Sequence, residues 1–134
     1  MGSESTFIGE LEVSAGVEPT ADFADFENLT NVALIRKVAS EFSDQLELMP
    51  YQRAGEDMQL AVSVYLSPKS SPGRIIAVLA RRSFPHSKQM LIALVKEARE
   101  RLDLLRKISS RFEEASLGSA RESLAKVLSE LTSA

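Results

Sequence analysis

Ser87 to Phe112 reads SKQMLIALVKEARERLDLLRKISSRF, and this stretch carries both the longest apolar stripe and the densest basic charge of the 134-residue chain. Leu91, Val95, Ala98, Leu102, Leu105 and Phe112 recur at helical spacing, with Ser109 as the one polar interruption. At 3.6 residues per turn such spacing makes one apolar face, so the sequence predicts an amphipathic helix over 87–114. Ser87 is a suitable N-cap, because its hydroxyl can accept from the free N–H groups of the first turn.

A stripe this long needs a long partner. Upstream, Val32, Ile35, Ala39, Phe42, Leu46 and Met49 step by three and four, and Phe23, Phe26 and Leu29 extend the pattern backwards. That predicts a second helix over 22–49, stopped at Pro50, which disfavours helical backbone before it and has no N–H to donate. The two helices are expected to pair within one chain, with pairing between two copies as the alternative.

Between them the period changes to two. Met58, Leu60, Val62, Val64 and Leu66 alternate with smaller or polar residues, and a turn-rich loop, Ser67-Pro68-Lys69-Ser70-Ser71-Pro72-Gly73, follows. A second run, Ile75 to Ala80, is apolar on both faces and so belongs in the middle of a sheet or beneath a partner. The expectation is an antiparallel hairpin, 58–67/74–82. A possible third strand over 7–13 alternates Phe7, Leu11 and Val13 with acids. Residues 1–20 thus form an edge strand or an acidic arm, and 21–134 a single domain. Gly118 is expected to break the helix, and Ser119 to Glu122 form a capping box that restarts it over 119–131. The fold class is α+β: a small antiparallel sheet packed by two long helices and a C-terminal helix.

Composition excludes several classes. The chain has no cysteine or tryptophan and one histidine, which removes disulfides, thiolate nucleophiles and zinc-thiolate sites. No apolar run reaches the length of a membrane-spanning helix, and an acidic N-terminus is unlike a secretory signal, so a cytoplasmic protein is expected. Met1-Gly2 with Thr6 fits the myristoylation pattern in form only, since Glu4 opposes an anionic membrane. The net charge of −3 hides an asymmetry. Residues 1–66 hold 12 acids against 3 bases, 67–112 hold 3 acids against 11 bases, and 113–134 hold 4 acids against 2 bases.

The basic block is the first candidate site. Lys88, Arg99 and Arg106 fall on one line of the helix, with Lys96 and Lys107 further round, while Arg81, Arg82 and His86 lie near its N-terminus, where helix dipole and free N–H groups favour an anion. A phosphate, a nucleic-acid backbone or an acidic protein segment would suit these residues. Against a solely anionic ligand, Lys96 with Glu100 and Arg99 with Asp103 read as ordinary i,i+4 pairs, and stacking aromatics are sparse. The acidic first 28 residues could also lie along this face, a salt-sensitive arrangement. The second candidate is apolar: Tyr65 with Ile75, Ala77 and Leu79 is expected to form the second face of the sheet, open to the C-terminal helix or to another copy.

Catalytic chemistry has little to build on. His86 has only Ser83 and Ser87 beside it, and the acid pairs Glu10/Glu12, Asp22/Asp25 and Glu56/Asp57 lack calcium-loop spacing. No catalytic or metal residue is assigned and no cofactor is expected. Ser67-Pro68 and Ser71-Pro72 read as loop chemistry, with proline-directed phosphorylation as the alternative. The reading is a non-enzymatic adaptor or chaperone-like protein, dimeric and cytoplasmic, that binds another protein or itself without a membrane. In small size, acidic pI and amphipathic C-terminal helix, the composition is similar to that of type III secretion chaperones. The alternative is a nucleic-acid-binding regulator using the basic face of helix 87–112.

Overall fold

A computed structural model of the chain describes residues 5–8, 11–14, 32–42, 44–52, 54–70 and 72–133. The elements run β1 (Ser5–Ile8), β2 (Leu11–Ser14), α1 (Val32–Glu41), β3 (Leu46–Tyr51), β4 (Gln59–Leu66), β5 (Ile75–Ser83), α2 (Lys88–Ile108) and α3 (Glu114–Thr132). The strands form one antiparallel sheet in the order β1-β2-β5-β4-β3. The fold class is α+β, as expected.

The β4/β5 hairpin matches its alternation, and β5 is central, between β2 and β4. Leu60, Val62, Val64 and Leu66 point into the main core, where α2, α3 and α1 contribute Leu91, Leu94, Leu102, Leu105, Leu124 and Ile35. One irregularity sets the lower half of the hairpin. Val62 pairs with Ala80 but Ser63 with Val78, so Leu79 is an extra residue in β5. Leu79 and Ala80 both join the helix-side core. Opposed residues share a face, so this bulge turns Arg82 (opposite Leu60) toward α2 and Arg81 (opposite Ala61) toward the other side.

Several expectations are corrected. The helix expected over 22–49 is only α1 within the described residues, and Leu46 to Tyr51 form β3. Leu46 and Met49 have helical spacing, yet Leu46, Leu48 and Pro50 also alternate, and pairing with Val64, Val62 and Leu60 selects the strand. Pro50 is tolerated because β3 is the edge strand, where a missing N–H need not break a ladder. The helical reading of 22–31 lies outside the described residues.

The strand expected over 7–13 is two strands, Ile8 pairing with Leu11 and Phe7 with Glu12. The helix expected to run to 114 stops at Ile108. Ser109 is extended, its N–H donates to the Leu105 carbonyl, and its hydroxyl accepts from the Arg111 N–H. Phe112, read as part of the helical stripe, instead bridges Pro68 and is buried.

The C-terminal helix starts at Glu114, not 119, and runs through Gly118 without a break. Ser119 does not cap it. Its hydroxyl donates to Gln45 Oε1 at 2.9 Å. The expected pairing of the two long helices is replaced accordingly: α2 packs on α3 and β5, and α1 packs on β3. The N-cap at Ser87 is as read, with its hydroxyl accepting from the Met90 N–H at 3.2 Å.

Candidate functional site

The apolar candidate is divided by the register. Tyr65 stands opposite Ile76, not beside Ile75, and Ala77 and Leu79 are buried in the helix-side core with Ile75 packed against it. Tyr65, Ile75, Ala77 and Leu79 therefore do not form one open patch, which corrects that expectation. On the far face, Ala61 and Val78 make a second small cluster, and Met49, Ser63 and Ile76 are buried as well. Ser63 Oγ is buried with no hydrogen-bond partner among the described residues. Nearby, the Tyr65 hydroxyl donates to Glu47 Oε2 at 2.6 Å, and the Arg74 guanidinium lies 4.5 Å from the Tyr65 ring centroid. Burial first, then the bond to Glu47, pushes the Tyr65 phenol up to about 12.

The basic candidate is scattered along α2. Arg82 Nε meets Glu97 Oε2 at 2.6 Å, tying the end of β5 to the helix. That hydrogen bond holds the Glu97 carboxyl below its ordinary range and raises Arg82. Arg106 is paired with Glu114 at the start of α3. Asp103 accepts from Arg121 Nε at 2.9 Å, so this acid serves α3 and not Arg99. Lys88, Lys96 and Lys107 are exposed, as is His86, and Arg99 is half-buried. Arg81 projects toward the opposite face of the sheet from Arg82. His86 and Lys107 lie at opposite ends of a helix about 30 Å long at 1.5 Å per residue, so these eight residues are not one pocket.

What the structure does gather is at the C-terminal end of α2. Lys69, Arg106 and Lys107 line a cleft of about 360 Å³ with Ile108, Phe112 and Leu117. Lys69 was not among the candidates read from sequence. It arrives there because Pro68 bridges Phe112, the Lys69 N–H donates to the Arg111 carbonyl, and the Glu113 N–H donates to the Ser67 carbonyl. A second cleft of about 210 Å³ lies between Tyr65, Arg74, Gln45 and the first turns of α3. Its groups are largely bonded to one another: the Ser67 N–H to Ser116 Oγ, Ser119 Oγ to Gln45 Oε1, and Arg74 to the Asp44 carbonyl.

A feature missed in sequence lies on the outer side of α2. Met90, Leu104 and Ile108 are 44%, 41% and 47% exposed, the large hydrophobics that stand out in solvent among the described residues. At about 100° per residue they fall within a sector of about 40°, to one side of the buried stripe and about 110° from its centre. The signal was present as a second, thinner stripe, masked by the stronger one that packs.

Among the described residues no three His, Asp or Glu side chains are grouped to hold a metal, and no helix is long and apolar enough to cross a membrane. Comparison with known proteins finds no matching family model, no matching curated protein and no matching solved structure.

Proposed function

We propose that the protein is a small, non-enzymatic, cytoplasmic protein-binding module of the adaptor or chaperone-like kind, and that it acts as a homodimer joined through the outer face of α2. The observation that carries this reading is the alignment of Met90, Leu104 and Ile108 on one exposed sector of one helix. Single exposed hydrophobics are ordinary, but an aligned set along about 27 Å of helix is the pattern of a helix–helix contact.

The stripe is also self-complementary. An antiparallel arrangement with its two-fold axis near Arg99 sets Met90 against Ile108 of the second copy and Leu104 near Ala93. It also sets Glu97, bonded to Arg82 of its own chain, beside Arg101 of the second copy. This is an isologous contact, the commonest way for identical chains to close. The seam is narrow compared with stable dimer interfaces of about 800 Å² per partner, so association is expected to depend on concentration.

Light scattering on the eluting protein at two loadings tests it. At high loading the mass should approach twice the 14.7 kDa of one chain, and Leu104→Glu with Ile108→Glu should return it to one chain. A wild type that stays at one chain's mass at every loading contradicts the reading. Nucleic-acid binding stands second, because Arg82 and Arg106 are held by Glu97 and Glu114, and Lys88 and Lys107 lie at opposite ends of α2.

A further inference from the structure

All of the sulfur in this chain is thioether, since it has four methionines and no cysteine. A two-electron oxidant such as hydrogen peroxide therefore finds no thiol, and methionine is the side chain it converts. The fold ranks the described methionines sharply. Met49 is 4% exposed, Met58 is half-buried against the core, and Met90 is 44% exposed. The Met90 backbone is fixed in the first turn of α2, where its N–H donates to Ser87 Oγ, while its side chain lies outside the core. A change at this sulfur leaves the packing of the chain alone.

It does not leave the outer stripe alone. The sulfur lone pair attacks one peroxide oxygen, the O–O bond breaks as an S–O bond forms, and the departing hydroxide takes a proton and leaves as water. Methionine is oxidised by two electrons and peroxide is reduced by two. An apolar thioether has become a strongly dipolar sulfoxide. In the antiparallel seam that group would lie against Ile108 of the second copy, which has no donor to offer it, and the two-fold axis repeats the mismatch at the other end. We propose that Met90 is a redox modification site, and that its conversion to the sulfoxide by peroxide separates the two copies. The inference rests on the α2 seam proposed above. Linkage makes the effect reciprocal: the seam covers Met90 and so slows its oxidation.

Treating the full-length chain with hydrogen peroxide, then reading it by peptide mass spectrometry and light scattering, tests this. At low loading Met90 should gain oxygen faster than Met49 or Met58, and at high loading its rate should fall. Protein oxidised at Met90 should keep the wild-type circular dichroism, yet need at least about tenfold more protein to reach twice the 14.7 kDa of one chain. Methionine sulfoxide reductases with a dithiol should restore association, the dithiol closing to a disulfide as the sulfoxide oxygen leaves in water. Met90→Leu keeps the other three methionines and an apolar side chain of similar volume, so it should associate equally before and after peroxide. The proposal falls if Met49 or Met58 oxidises first, if the oxidised wild type associates undiminished, or if peroxide separates the Met90→Leu protein. Each of those results leaves the dimer standing. An untreated wild type at one chain's mass at every loading removes the dimer and this proposal with it.

Discussion

The Tyr65 hydroxyl reaches diagonally from β4 to Glu47 on β3 and donates a 2.6 Å hydrogen bond on the face of the sheet turned away from α2 and α3. Partial burial and a negatively charged acceptor both disfavour the phenolate, which is why Tyr65 is pushed up to about 12 from 10.0. The folded state therefore holds its proton more tightly than the unfolded chain. The stabilisation is fully present below pH 10 and is lost as the pH rises toward 12. In a Tyr51→Phe background only Tyr65 remains to titrate, and its ultraviolet titration should have a midpoint near 12. A midpoint near 10 would remove the hydrogen bond from the account.

Ser63 gives the opposite expectation on the same face. Its hydroxyl is buried without a partner among the described residues, an arrangement that costs about 1–3 kcal/mol. Ser63→Ala should stabilise the protein by about 1 kcal/mol and raise the melting temperature by about 3 °C in a thermal scan. A lowered melting temperature would mean that the hydroxyl is satisfied.

Gly118 tests the continuity of α3. The residue is helical, and a Cβ built on it meets nothing within 4 Å. Gly118→Ala should stabilise by about 0.5–1 kcal/mol, because glycine loses more backbone freedom in a helix than alanine. Urea denaturation reads this directly. Destabilisation would restore the break that the isolated sequence suggests.

Phe112 joins the end of α2 to the hairpin loop through its bridge to Pro68, and is 1% exposed. Phe112→Ala should cost about 3–5 kcal/mol, as for other large buried aromatics, and should also open the cleft beside Lys69. A cost below about 1 kcal/mol, measured by the same denaturation, would contradict its place in the core.

The parts of the fold legible in sequence are those fixed by local chemistry. The alternation of Met58 to Leu66, the doubly apolar run from Ile75 and the cap at Ser87 need no distant partner to be read. Residues 46–51 do, since their spacing suits helix and strand alike and only pairing with β4 decides. The extent of α3 was misread because Gly118 is a helix breaker by propensity, whereas Leu117, Ala120 and Leu124 are held by the core regardless. The same distinction governs the site. Positive charge was visible, but Arg82 meets Glu97 and Arg106 meets Glu114 only once strands and helices assemble, and Lys69 joins Lys107 across 38 positions of sequence. The outer stripe of α2 went unread because one helix cannot reveal which of its two apolar lines is covered.

The proposed dimer is tested most directly by its geometry. The chain has no cysteine, so single thiols can be introduced without a background. Met90→Cys and Ile108→Cys proteins are prepared separately, mixed, oxidised mildly and separated on a non-reducing gel. The antiparallel seam predicts a disulfide-linked dimer in the mixture, through Met90→Cys of one copy and Ile108→Cys of the other, and little from either protein alone. Cross-linking of each variant to itself as readily as to the other, or none in the mixture, would contradict it.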